Sequence, residues 1–325
     1  MQGKKVIAIL ITVILLLLSL TSSLSALDTS VAADAEVAMN PLQMSVFKLS
    51  ARRKGMDTYE TARAVLRQVG YPESIIEVMP EDKLLSVADS RRIETKEEYV
   101  CISPDGESTV SSKAQYEMEQ NTSEGISELA STSSTPTENS WAKLQTWVMQ
   151  SNSDRTSYAY SATCTWLTTP FWRMNDYIAV GVTQGAVDPN STLSVFTYTR
   201  TDFANETSTD AYETKSGQNE ITILGTTANT FFNLPNDAVA GNSDGTVSGV
   251  TFRNFVMMIW MNGIMTDASF TVPMNVFSAY FHQKIVVNKD ITVSISGSGV
   301  GISFSISPEG RFNAIRNSLI YTHSI

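Results

Sequence analysis

Side chains able to act as acids, bases or nucleophiles are few in this chain, and their spacing limits what they could do. Histidine occurs twice, as His282 in "AYFHQK" and His323 near the C-terminus. No Gly-x-Ser-x-Gly elbow precedes a helical pattern, so a serine or cysteine nucleophile with a histidine base has no local signature. His282 reads as a strand residue with a satisfied hydrogen bond, sharing a face with Tyr280. Two isolated histidines and two isolated cysteines offer no pair at zinc-ligand spacing. Calcium needs only oxygen ligands, and "LPNDAVAGNSDGTVSG" supplies Asn236, Asp237, Asn242 and Asp244. That spacing does not match the twelve-residue helical-hand loop with its terminal Glu, and Asn, Asp and Gly are what surface turns use in any case. No cofactor is therefore expected.

Paired carboxylates would serve glycoside hydrolysis, which needs two acids at a set separation beside sugar-stacking aromatics. Asp176 in "PFWRMNDY" is the best single acid, embedded between Trp172, Arg173 and Tyr177. No second acid stands out, and an Arg173–Asp176 structural pair at a strand start is the plainer expectation. Trp172, Arg173, Asp176 and Tyr177 are the candidate binding residues. Trp141, Trp147, Trp166, Tyr158 and Tyr160 crowd the same part of the chain, where they can cover a groove or fill a sandwich core. Gly297, Gly299 and Gly301 do not form a phosphate loop, because "ISFSIS" continues as strand where a helix N-terminus would be needed.

The elements that must position these residues follow from pattern. Met1–Lys5 is basic, Val6–Leu20 is apolar apart from Thr12 and Ser19, and "TSSLSALDTS" is small and polar. These are the three parts of a secretory signal peptide, here 1–26, with an apolar core shorter than the roughly 20 residues of a spanning helix. Residues 27–119 read as an acidic N-terminal region with short helices and a strand. Ala62, Val65, Leu66 and Val69 form an i, i+3, i+4, i+7 stripe that Gly70 and Pro72 end. "PESIIEVM" and "PEDKLLSVAD" open with Pro and acids, as first helical turns prefer. "EEYVCISPDGEST" reads as a strand running into a Pro-Asp-Gly turn. Residues 120–140 are Ser/Thr/Glu-rich, a linker composition.

Residues 141–325 are expected to form an antiparallel β-sandwich or barrel, making the chain mainly β behind a small helical N-terminal region. Alternation puts Tyr158, Tyr160, Ala162, Cys164 and Trp166 on one face of a strand and Ser161, Thr163 and Thr165 on the other. Further strands are expected at "YIAVGVT", "LSVFTYT", "EITIL", "VTFRNFVMMIWM", "VFSAYFH" and "KIVV", parted by turns at "DPNS", "GNSDG" and "NKD". Cys101 and Cys164 could close a disulfide if the chain is exported, or Cys164 could be a small buried strand residue.

In "ITVSISGSGVGISFSIS", residues 291–307, the apolar phase reverses across Gly297–Gly299, which predicts a hairpin with aliphatics on one face and Ser/Thr on the other. A pore-forming hairpin shows that pattern. Each arm has only about six or seven clean residues, whereas crossing the hydrocarbon takes about nine to eleven per strand. Membrane insertion is accordingly the weaker reading.

Charge narrows the partners. Residues 27–140 carry minus nine and residues 141–325 minus three, against plus two in the leader, for a net of minus ten. An acidic chain without a basic cluster disfavours nucleic acid and anionic lipid surfaces. "VGYPESIIEVMPEDKL" and "TWLTTPFWRMND" resemble stretches of uncharacterised secreted proteins of Gram-positive bacteria; the resemblance implies export and carries no activity. The expectation is a secreted, non-catalytic extracellular or cell-surface binding module whose partner is a cell-wall glycan or an extracellular protein. The alternatives are a β-pore-forming toxin using the 291–307 hairpin and a secreted hydrolase acting on polysaccharide.

Overall fold

Strands β2 (Ser90–Ile102), β4 (Ser140–Ser151), β5 (Ser157–Trp166), β12 (Val247–Ile264), β7 (Ala186–Asp202) and β8 (Thr207–Ser216) run side by side in that order. With β1 (Met44–Lys48) beyond β2, β3 (Ser108–Ser111) also on β2, and β11 (Ala238–Gly241) on β12, they make a nine-stranded antiparallel sheet, sheet A. A second sheet, sheet B, has the order β16 (Phe312–Tyr321), β13 (Met274–Gln283), β6 (Asn175–Val182), β10 (Thr227–Asn233) and β9 (Thr222–Leu224). The computed structural model describes residues 44–48, 58–123, 139–241, 247–265, 273–284, 292–298, 301–307 and 311–322. The expected signal peptide, residues 124–138 of the linker, most of "KIVV", the "GNSDG" turn after Gly241, the "NKD" turn and His323 lie outside them.

The chain is mainly β, as the alternation predicts, and the two sheets face one another. Tyr158, Tyr160, Ala162, Cys164 and Trp166 of β5 point into the shared core. There they meet Ile178 and Val180 of β6, Val276 and Tyr280 of β13, and Ile315 and Leu319 of β16. The opposite face of β5 is not left to water. Ser161 and Thr163 are fully buried there, because helices cover the outside of sheet A.

Those helices are α1 (Thr58–Gln68), α2 (Glu73–Val78) and α3 (Glu81–Ala88). Gly70, at φ +83°, ends α1 in a left-handed turn: its N–H bonds Arg67 C=O at 3.0 Å and the Tyr71 N–H bonds Leu66 C=O at 2.9 Å. Glycine suits that position because no Cβ opposes positive φ. Pro72 and Pro80 stand immediately before α2 and α3, where a missing N–H costs nothing. The apolar sides of all three helices land on sheet A: Ala62 and Leu66 of α1, Ile75 and Ile76 of α2, and Leu84 and Val87 of α3 pack with Trp147, Met149, Met258 and Trp260.

Strand β2 is longer than "EEYVCI" suggests and pairs with β4 from Ser90 to Ile102, so the segment after α3 shares one sheet with β4 and β5. A fourth helix, α4 (Lys113–Ser123), reaches into the segment read as linker. "DPNS" is not a turn between strands but an irregularity within β7: Asp188 pairs with Asn262 and Leu193 with Trp260, so four residues stand opposite Met261 alone. An Asx turn from Asp188 Oδ1 to the Asn190 N–H (3.0 Å) shapes it, and Ser191 Oγ then accepts the Asn262 N–H at 2.8 Å.

Candidate functional site

At one end of the sandwich β5 ends, β6 begins and β13 ends, which brings together residues more than 100 positions apart. Asp176 lies opposite His282 in the β6–β13 register. Its Oδ1 is 2.8 Å from His282 Nδ1, its Oδ2 accepts the Tyr280 hydroxyl, and the Tyr280 oxygen accepts Trp166 Nε1–H at 2.7 Å. The Gln283 N–H adds a longer bond to Oδ1 at 3.4 Å. A carboxylate only accepts, so the proton of the imidazole sits on Nδ1 and Nε2 is left without a partner among the described residues. The Trp166 ring is 4.7 Å from the imidazole, nearly edge-on.

An aspartate orienting a histidine is half of a nucleophilic triad. Here the pair is walled in: Asp176 is 0% and His282 1% exposed. Cys164 looks into the same core, and burial, reinforced by the Asp176 charge, pushes its thiol well above the usual range. The Tyr280 hydroxyl is raised in the same way by burial and then by Asp176. The protons are thus held in place, and the chain Trp166–Tyr280–Asp176–His282 acts as a polar lock between the sheets.

Trp172 and Asp176 belong to this end of the molecule, but the four expected binding residues do not form one cluster. Trp172 is half-buried, 6.3 Å from the His282 ring and edge-to-face with Phe171 at 5.6 Å. The Pro-Asp-Gly turn after β2 leans on it. Gly106 has φ +85°, and a Cβ there would come within 3.3 Å of the Trp172 ring and 3.0 Å of the Lys284 side chain. Lys284 Nζ in turn donates to Gly106 C=O at 3.0 Å.

Arg173 does not pair with Asp176. Asp176 faces the interior from the first turn of the β6 pleat, and Arg173 precedes that strand and reaches Asp237 instead, with Nη2 to Oδ2 at 3.0 Å. Arg253 joins the same carboxylate at 2.9 Å, helped by Asn254 at φ +57° in a bulge of β12. Burial opposes ionisation of Asp237, but hydrogen bonds from Arg173, Arg253 and the Phe252 N–H hold its carboxyl below the ordinary value. The one described acid of the calcium-like loop is therefore committed to two arginines; Asn242 and Asp244 lie outside the described residues. Tyr177, one step along from Asp176, points to the outer face of sheet B, against Phe231 and Phe312.

Cys101 and Cys164 are both free thiols. The pleat separates them: Val100 and Ile102 face the inter-sheet core, which sends Cys101 to the outer side of sheet A, whereas Cys164 is inside. Among the described residues no group of three His, Cys, Asp or Glu could hold a metal ion, and no helix is long and apolar enough to cross a membrane.

The 291–307 ribbon is a hairpin, β14 (Thr292–Ser298) and β15 (Gly301–Ser307), in register from Thr292–Ser307 to Ser298–Gly301. It forms a two-stranded sheet of its own. Phe304 and Ile306 are buried on the outer face of sheet B with Tyr177, Ala179, Ala279, Phe281 and Phe312. Arg316 Nε also donates to Phe304 C=O at 3.2 Å. The apolar side of β15 is thus spent on sheet B.

No family model matches the chain, and no curated protein sequence matches it. Sequence reasoning missed Tyr280, Gln283, Asp237 and Arg253 as partners of the expected site residues. The i, i+2 spacing of Tyr280 and His282 on one strand face was the available signal for the first of them.

Proposed function

We propose that the protein is a non-catalytic secreted binding module, acting outside the cell or at its surface, and that the Phe171–Trp172 loop is its contact point. One observation carries this reading: the two rings are half-exposed yet packed from behind, by Gly106, Lys284 and His282 against Trp172 and by the Arg173–Asp237 ion pair beside it. An aromatic platform that is already ordered loses little entropy on stacking against a sugar or an apolar side chain. The buried Asp176–His282 pair supports that platform from below.

Binding to purified Gram-positive cell wall and to a glycan array tests the reading. Trp172→Ala is expected to abolish retention while leaving the circular dichroism spectrum unchanged; a variant that binds as well as the parent overturns it.

The hairpin favours a second reading, as a membrane-inserting element, because β14 and β15 form a two-stranded sheet of their own that lies on sheet B without joining its strand order. Seven residues per arm span roughly 23 Å, short of the usual nine to eleven per strand. Dye release from liposomes, with oligomers on a gel, supports insertion; intact vesicles at high protein concentration exclude it.

A further inference from the structure

Where β2 meets β16, the space between the sheets is lined by reactive groups rather than by apolar side chains. On β2, Val100 and Ile102 face the shared core, so Lys96 and Glu98 face it as well, each 5% exposed. On β16, Ile315 and Leu319 face the same core, which turns the intervening Asn317 toward β2, 3% exposed. Asn317 arrives at the lysine's own residue: its Nδ2 donates to the Lys96 C=O at 2.8 Å. The carboxamide carbon is one bond further on, inside the sweep of the flexible four-carbon lysine stem. The Lys96 ammonium in turn is 3.6 Å from Glu98 Oε1. An amine, a carboxamide and a carboxyl group thus share one buried patch.

Neighbouring groups of the same kinds are engaged elsewhere. Glu94, on the same face of β2, is held by Arg92. Asn313, the other inward amide of β16, lies opposite His282 in the β13–β16 register, four residues back along the strand. Asn317 Oδ1, by contrast, is buried without a partner among the described residues. A protonated carboxyl is the kind of donor that oxygen lacks. Burial raises the pKa of Glu98, and the Lys96 charge and hydrogen bond only partly offset it. Keeping an ion pair in the seam is costly, because removing two charges from water is repaid only by complete hydrogen bonding. Joining the amine to the carboxamide removes the lysine charge, and it needs no entry route for a ligand, since every reactant belongs to the chain.

We propose that Lys96 and Asn317 join in an intramolecular isopeptide bond, with Glu98 as the acid–base group, which clamps β2 to β16. Lys96 passes one proton to Glu98, and its neutral Nζ attacks Cγ of Asn317. Glu98 relays protons from Nζ to Nδ2 as the Nζ–Cγ bond forms and the Cγ–Nδ2 bond breaks. The amide nitrogen leaves as ammonium, Glu98 ends as the buried carboxyl it began as, and no oxidant or reductant takes part. The lysine and glutamate side chains keep 6% and 7% exposure, so the small leaving group has a way out. The clamp ties residues 221 positions apart, which restricts the unfolded chain. It does not depend on the Phe171–Trp172 loop.

Tryptic peptide mapping of the full chain by mass spectrometry, with digestion after denaturation, tests the proposal. Cleavage after Arg92, Lys113 and Arg316 but not after Lys96 is expected, so that residues 93–113 and 317–325 appear as one branched peptide, lighter than its two parts by one ammonia. Lys96→Arg and, separately, Asn317→Ala should give linear peptides only. Glu98→Gln keeps both reacting groups and should slow the joining by about a hundredfold or more, followed from freshly expressed protein. A parent digest that cuts after Lys96 and yields 317–325 as a linear peptide overturns the proposal. Ammonia loss confined to the 317–325 peptide also overturns it, since that marks cyclisation of the asparagine alone. Joining at the parent rate in Glu98→Gln overturns the role given to Glu98. The decisive map is that of the unaltered chain, so a variant that fails to fold does not rescue the proposal.

Discussion

Each sheet has an apolar outer face that must be covered, and the two covers are built differently. Sheet A is covered by α1, α2 and α3, whose side chains merge with its own into one cluster that includes Leu66, Ile75, Trp147 and Trp260. Side-chain hydrogen bonds tie that cover down, Tyr71 to Ser161 and Ser74 to Thr197, each at 2.7 Å. Sheet B is covered by β14–β15, from which Phe304 and Ile306 contribute to a smaller cluster, with the Arg316 bond to Phe304 C=O beside them. Helices can interlock with a sheet through side chains alone, because their backbone bonds are satisfied internally. A two-stranded ribbon lying flat on a sheet face has fewer such knobs, so the second cover should come away at lower cost than the first.

The largest expected effect tests the first cover. Leu66→Ala, at a fully buried position of α1, should cost about 2–5 kcal/mol from lost burial and the cavity left behind. Urea unfolding followed by tryptophan fluorescence and by far-UV circular dichroism should shift together, because Trp147 and Trp260 sit beneath that cover. Transitions that separate would show that the helices are not integral to the sheet. Phe304→Ala is the matching test of the second cover. If the hairpin opens independently, the global midpoint should move by less than about 2 kcal/mol, while amides of β14 and β15 exchange faster and a hydrophobic dye binds the uncovered face of sheet B. A global loss as large as that of Leu66→Ala would erase the distinction between the covers. A smaller change, Tyr71→Phe, removes one hydrogen bond and should cost about 1 kcal/mol, since Ser161 keeps its bond to Ile259 C=O at 2.9 Å.

What was legible in the sequence divides along the same lines. Helices α1 to α3 could be read because Ala62, Val65, Leu66 and Val69 keep a helical period and Gly70, Pro72 and Pro80 punctuate it. Strand β5 and the hairpin could be read because one face is apolar and the other polar, which gives a clean period of two. Strand β4 could not: Trp141, Leu144, Trp147 and Val148 are buried on both faces, so the alternation that marks a strand is erased. Strand β8, "TSTDAYETKS", is nearly all exposed at a sheet edge and carries no apolar signal at all. The aromatic crowding around Trp172 pointed to the right end of the sandwich, but the partner of Asp176 is His282, 106 residues away, and that of Arg173 is Asp237, 64 residues away. Strand order sets those pairings, and no local pattern encodes strand order.

The smallest expected effect concerns the seam where the sheets close on each other. The inward face of β2 is charged there: Glu94 beside Arg92, and Glu98 3.6 Å from Lys96, opposite β16, whose Asn317 donates to Lys96 C=O at 2.8 Å. Burial raises the pKa of both glutamates above the ordinary 4.5, and the attraction of Arg92 and Lys96 only partly offsets it. In the window between 4.5 and those raised values the folded state holds more protons than the unfolded chain, so stability falls as pH rises and recovers as pH falls. Carboxyls held low, such as Asp89 and Asp237, lose their contribution only as pH drops below about 3.8. Urea midpoints should therefore rise slightly from neutral pH toward 4.5, and Glu98→Gln should flatten that slope without moving the hairpin's exchange rates. A midpoint that falls steadily over that range would mean that Arg92 and Lys96 compensate the buried charges in full. The seam would then hold as firmly as the helical cover.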